Sequence, residues 1–111
     1  MINAGTIALS KETSEFPGYG RVTDRPQWAV VRTSQEHGIL GLSPTPALSL
    51  FGIEKVEVEV TNEKADEVFS VGQKVLLYIQ HACITAAAHS VYFVVDEVDV
   101  VREVWVPWKG W

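Results

Sequence analysis

His81 and Cys83 flank a single alanine at the end of an apolar run, Val75-Leu76-Leu77-Tyr78-Ile79. On a strand, residues two apart point to the same side. If the extended backbone runs on to Cys83, the imidazole and the thiol converge on one small volume. Imidazole plus thiolate is a ligand pair that suits zinc. Cys83 is the chain's one cysteine, and His81 is one of three histidines. The plainer reading of the same residues is a strand-end histidine beside a buried cysteine, since free cysteine is commonly buried as a small hydrophobe. Spacing alone favours that plainer reading, because so short a pattern recurs by chance.

A second segment able to do chemistry is Ser34-Gln35-Glu36-His37-Gly38. His37 has the chemistry of an acid–base group, an extra metal ligand or a partner that orients one. It fits equally a turn residue bonded to backbone, with Gly38 free to take a positive φ. Neighbours on a strand point oppositely, so Glu36 and His37 are not expected to face one site together. His89 follows an alanine run and has no comfortable spacing to Cys83 for a shared metal; a surface histidine near a helix C-terminus is expected. Asp96, with Glu97 and Asp99, reads as a solvated turn. The glycines are scattered and form no nucleotide-binding loop.

The elements that must position these residues are mostly strands. Thr6-Ile7-Ala8-Leu9 reads as a short strand, followed by a broken stretch from Phe16 to Gly20. Trp28 to Thr33 is a strand rich in β-branched residues, and Ser43 to Pro46 is a loop barred from a central strand by its prolines. Val56, Val58 and Val60 alternate with glutamates, as on a half-buried strand with one wet face. Thr61 to Glu67 reads as a polar loop with at most a helical turn. Val71 to Lys74 turns the chain into the run from Val75 to Ile79, expected to be a strand buried on both faces. Ile84 to Ala88 favours a short helix. Val91 to Val95 reads as another buried strand. Val98 to Val106 is a last strand whose alternation slips near Val100-Val101, the mark of a bulge, and Pro107 ends it. The expected fold is mainly β: one domain over residues 1–111, a small closed or partly closed β-barrel with one or two short helices.

Composition narrows the function. The chain has 111 residues, 47% of them hydrophobic, which suits one globular core and excludes disorder. Its net charge is −5 and its nine basic residues are scattered, so no nucleic-acid footprint is present. No apolar stretch approaches the ~20 residues that span a bilayer, and no signal-peptide pattern opens the chain. A lone cysteine points to a reducing, cytoplasmic setting. Trp105, Trp108 and Trp111 sit beside Lys109 at the C-terminal end. Packing that pins this end onto the fold is the expectation for Trp105. Trp108 and Trp111 fit either packing or an interface, where tryptophan is enriched.

Four segments in this order resemble a known family: Ser34-Gln35-Glu36-His37-Gly38, Gln80-His81-Ala82-Cys83, Tyr92-Phe93-Val94-Val95-Asp96 and Trp105-Val106-Pro107-Trp108-Lys109-Gly110-Trp111. They are similar to the C-terminal β domain of the D-serine dehydratase and D-threonine aldolase family, especially its fungal D-serine dehydratase-like members. The stretch from Asn3 to Ser10 resembles the family's entry into that domain. The resemblance implies enzymes that use pyridoxal phosphate (PLP), whose N-terminal α/β barrel carries the cofactor lysine. It implies a zinc site on the β domain, with ligands matched by His81 and Cys83. There the metal activates the β-hydroxyl of D-serine, and the products are pyruvate and ammonia. This chain departs from the pattern in having no such barrel, which takes ~250 residues. None of Lys11, Lys55, Lys64, Lys74 and Lys109 matches the PLP lysine. The expectation is a zinc-dependent lyase-type domain acting on a small hydroxylated substrate by elimination, dehydration or isomerisation. His81 and Cys83 hold the metal, His37 is the catalytic candidate, and PLP enters only if a separate barrel domain or subunit supplies the lysine. The alternative is a non-catalytic binding or assembly module, paired as a homodimer or with a partner subunit over a former interdomain face. No membrane or nucleic-acid partner is expected.

Overall fold

A computed structural model describes residues 1–14, 17–43 and 62–109. Nine elements occur among them: α1 (Thr6–Leu9), β1 (Gly20–Val22), β2 (Trp28–Thr33), β3 (Gly38–Leu42), α2 (Ala65–Val68), β4 (Leu77–Ile79), α3 (Ala82–Ala88), β5 (Tyr92–Val95) and β6 (Val101–Trp105). Four strands form an antiparallel sheet in the order β3-β2-β1-β4, and β5 pairs with β6 in a separate two-stranded sheet. The fold is therefore mainly β. The described strands do not close into a barrel, and the strand expected at Val56 to Val60 lies outside the described residues. Three short helices appear where one or two were expected.

The buried core of the described residues centres on β1 and β2. Val22, Trp28, Ala29 and Val30 are buried, and Leu9 joins them from α1. The β2 strand follows the expectation for Trp28 to Thr33, with one irregularity. Its pairing to β3 runs Trp28↔Leu42, Ala29↔Gly41 and Val30↔Leu40, then resumes at Arg32↔Ile39. Val31 is thus the extra residue of a bulge. A Cβ at Gly41 would fall 2.8 Å from Val31 Cγ2, so only glycine leaves room for the bulged side chain.

Thr6–Leu9 is one turn of helix, not a strand. Its N–H groups find tertiary acceptors: Thr6 N donates to Ser34 O at 2.9 Å and Ile7 N to Gln35 O at 3.1 Å. Leu9 N closes the turn on Gly5 O at 2.9 Å, and Ser10 leaves it at φ 70°. Local propensity yields here to backbone groups that only tertiary structure supplies.

Three strands are less buried than their composition suggests. β4 is the last strand of the described sheet; Tyr78 is exposed and Leu77 and Ile79 half-buried. Phe93 and Val95 of β5 are exposed, and β6 is exposed throughout, because no described layer covers the two-stranded sheet. The expected bulge in the last strand is present one residue further on. Val94 pairs with Glu103 and Val95 with Val101, leaving Arg102 as the extra residue.

The turn between β5 and β6 is organised by Asp96. Its carboxylate accepts from Val98 N and Val100 N, both at 3.0 Å, and from Arg102 Nε at 2.7 Å. These donors, the Val100 amide foremost, hold its pKa below the usual aspartate value. A depressed native pKa means stability that is fully present above the unfolded value and lost as pH falls through the native one. Acidification below the ordinary aspartate range, ~4, is therefore expected to loosen this hairpin, and Asp96→Asn to loosen it already at neutral pH. Hydrogen exchange of the Val98 and Val100 amides at several pH values checks this; exchange unaffected by the substitution would count against it.

Candidate metal centre

His81 and Cys83 lie at the start of a helix, not on an extended strand. β4 ends at Ile79, His81 is the N-cap of α3 with φ −127° and ψ 92°, and Cys83 is the second helical residue. Alanines make up four of the seven helical residues and draw the chain into a helix at Ala82. The same-side argument from strand geometry therefore does not apply. Two features leave the pair open to a ligand. The His81 side chain makes no capping bond to the helix it begins, and Cys83 is an exposed free thiol.

The helix that carries them is anchored at both ends. Ahead of it, Gln80 Nε2 donates to Gly18 O at 3.1 Å. Within it, the buried Thr85 hydroxyl donates to Leu9 O at 3.0 Å. Beyond it, the His89 ring nitrogen Nε2 lies 3.2 Å from Ala8 O, a bond that needs the proton on that nitrogen. At the C-terminal end, Tyr92 Oη donates to Ala86 O at 2.7 Å, and Lys109 Nζ to Ala87 O at 2.8 Å and His89 O at 2.6 Å. An ammonium on unpaired carbonyls satisfies the helix end and complements its dipole. His89 is thus a structural contact between α1 and α3, as a histidine near a helix C-terminus.

His37 sits in the turn that joins β2 to β3, where Ser34 N donates to His37 O at 2.8 Å. Its residue is exposed. Gly38 begins β3 and takes no positive φ. The turn is gripped by α1 through the Ser34 and Gln35 carbonyls. It packs so closely on Gly5 that a Cβ there would lie 2.5 Å from His37 N. The same short helix therefore binds the His37 turn at its beginning and α3 at its end. Sequence reasoning missed this role of α1, and the one local signal for it was Gly5, whose tight approach no pattern reveals.

These residues do not form a three-ligand cluster. Among the described residues, no three His, Cys, Asp or Glu side chains are grouped to hold a metal ion. His37 is accordingly not a third ligand beside His81 and Cys83 in this arrangement. The donor set still fits zinc as far as it goes: one imidazole not spent on capping and one free thiol, both ligand types that zinc takes. A cleft of about 770 Å³ lies elsewhere, lined by Ile2, Asn3, Leu40, Phe69 and Leu77, and none of the three candidates borders it. No helix among the described residues is long and apolar enough to cross a membrane.

Comparison with known proteins supplies an independent line of observation. The family model described as "Putative serine dehydratase domain" matches residues 1–95. A D-serine dehydratase of Schizosaccharomyces pombe is 37% identical over the whole of this chain, which covers 23% of that protein. A D-serine dehydratase of Saccharomyces cerevisiae is 30% identical over 98% of this chain, covering 24% of the relative. Among solved structures, D-threo-3-hydroxyaspartate dehydratase from Delftia sp. HT23 superposes with a TM-score of 0.66 and 26% identity, over 98% of this chain and 27% of that one. A mutant of a D-threo-3-hydroxyaspartate dehydratase in the metal-free form gives a TM-score of 0.64 at 22% identity. The chain spans about a quarter of the length of the relatives it matches.

Proposed function

Because the chain belongs to the serine dehydratase domain family, we propose that it is the zinc-bearing part of a lyase active site, acting on a small hydroxylated substrate by elimination or dehydration. The observation that carries this reading is the family match over residues 1–95, which contains all three candidate side chains. The uncommitted His81 imidazole and the exposed Cys83 thiol at the head of an anchored helix support it. A solved neighbour that shares the fold is described in a metal-free form. In this reading His81 and Cys83 hold zinc. The ion, when bound, supplies Lewis acidity to a hydroxyl oxygen and so improves it as a leaving group. Two side chains would leave positions for substrate or water, and an open position is what a catalytic zinc site keeps. His37, held by α1 in its exposed turn, orients the substrate or carries a proton at its ring. PLP belongs to the reaction only through a barrel domain or subunit that supplies the lysine. The reading takes residues 1–111 as one domain of barrel type working in a reducing cytoplasm.

Elemental analysis of the purified protein tests the site. About one zinc per chain is expected in the wild type, and most of it should be lost in His81→Ala and in Cys83→Ser, since a neutral hydroxyl is a poor zinc ligand. His37→Ala should keep its metal. Ligand protons compete with the ion, so zinc content should fall as pH drops. Unchanged stoichiometry in Cys83→Ser would place the site elsewhere.

A further inference from the structure

Among the described residues α3 buries one side chain, and it is polar: Thr85, 8% exposed. A hydroxyl out of water is costly unless it is bonded, and a valine or alanine would fill a helix–helix contact without that cost. A threonine inside a helix commonly returns its hydroxyl to the carbonyl four residues back. Here that carbonyl is His81 O, which already accepts from Thr85 N at 3.1 Å. The hydroxyl donates instead to Leu9 O, at 3.0 Å and 76 positions away in the chain. One residue therefore ties the backbone of His81 to the end of α1.

Leu9 O is itself a fixed point. Leu9 is buried, its N–H closes on Gly5 O at 2.9 Å, and Thr6 Oγ1 donates to Thr33 Oγ1 of β2 at 3.1 Å. Four residues after Thr85, at the end of the helix, the His89 ring meets Ala8 O. Residues four apart share a helix face. Consecutive carbonyls of α1 thus hold α3 at two points one turn apart, which sets the rotation of the helix about its axis. Cys83, two residues before Thr85, lies about 200° around the helix. It falls on the face turned away from α1, where its thiol is exposed.

We propose that Thr85 is a positioning residue of the zinc site: its hydroxyl, on Leu9 O, fixes the rotation of α3 that presents Cys83 and His81 to the metal. The assignment rests on the reading of His81 and Cys83 as ligands and adds to it the group that aims them.

Competition with a chelator measures zinc affinity in the 111-residue chain and its variants. Thr85→Val keeps the shape and removes the hydroxyl. It should weaken zinc binding by about tenfold or more, the usual loss when a group that orients a ligand is removed. Thr85→Ser restores the hydroxyl and should return affinity to near the wild-type value. Tyr92→Phe is the stability control: it removes the bond from Tyr92 Oη to Ala86 O, on the same helix but beyond the ligands, and should leave zinc affinity unchanged. The visible spectrum of the cobalt(II)-loaded chain reports coordination geometry, and should change in Thr85→Val and not in Tyr92→Phe. Urea midpoints show how much stability each variant has lost. Wild-type affinity and cobalt spectrum in Thr85→Val would overturn the assignment. So would an equal loss of affinity in Thr85→Ser, or in Tyr92→Phe. Should Thr85→Val not fold, Thr85→Ala takes its place under the same criteria, since alanine favours the helix. A wild-type chain that binds no zinc would sink the metal reading and this assignment together. Zinc lost in Cys83→Ser but held normally in Thr85→Val would sink this assignment alone.

Discussion

Trp28→Ala is expected to destabilise the protein by about 3–5 kcal/mol, the usual cost of truncating a fully packed aromatic side chain. Trp28 is 3% exposed in β2, in the most buried stretch of the described fold. Its ring meets Phe69 edge-on, with centroids 5.2 Å apart and planes at 88°, the favourable arrangement of the two quadrupoles. Its indole N–H donates to Glu63 Oε2 at 3.4 Å, and Gln27 Nε2 reaches the same oxygen at 3.3 Å. Truncation thus opens a cavity between β2 and the segment after α2, and removes one of the donors to Glu63. A domain of this size has a total stability of only about 5–15 kcal/mol, so the variant should be close to unfolding. Trp28→Phe keeps most of the ring contact and should lose less. Trp108→Ala provides the contrast: Trp108 is fully exposed, and its removal should change stability by no more than about 0.5 kcal/mol. Urea denaturation midpoints at constant slope measure all three. Equal losses for Trp28→Ala and Trp108→Ala would mean that the core does not centre on β2.

That contrast also shows what the sequence could and could not disclose. Trp28 to Thr33 read correctly as a strand because its β-branched residues agree with its setting. The helix after Cys83 was legible from its alanines, whose propensity acts locally. The turn at Asp96 and the bulge near Val100 were legible too, since a break in alternation is a local signal. The burial of β4, β5 and β6 was not. An apolar run reports what a segment is able to bury, and the layer that does the burying lies in other segments or other chains. The helix at Thr6–Leu9 was illegible for the same reason: its first two amides are satisfied by Ser34 and Gln35, nearly thirty residues away. His81 and Cys83 were singled out by residue type and by family likeness, and the strand geometry first used to bring them together is replaced by a helix N-terminus. His37 came with no cue to the helix that holds its turn.

The zinc-loaded chain by itself, given D-serine and PLP, is expected to release no pyruvate above a blank of PLP and zinc. Loss of water from an amino acid requires an electron sink at Cα as well as an activated hydroxyl, and a metal on the hydroxyl supplies only the second. The cofactor needs a lysine to hold it. Lys11, Lys64 and Lys74 are exposed, with no described enclosure around them. Lys109 is engaged with the carbonyls of Ala87 and His89, and Lys55 lies outside the described residues. The cofactor's phosphate also needs a cradle of free amides, commonly at a helix start. The first amides of α1 already belong to Ser34 and Gln35, and α2 is a single exposed turn. On the proposed reading the chain would supply the metal half of the chemistry, and these described groups offer nothing to bind or use the cofactor half. The same reasoning makes the deficiency curable: a full-length chimera in which this chain replaces the matched part of the S. pombe D-serine dehydratase should release pyruvate, and Cys83→Ser within it should lose that release together with zinc. Steady pyruvate formation by the chain alone, abolished by Cys83→Ala, would contradict this account and require a cofactor lysine among its own five.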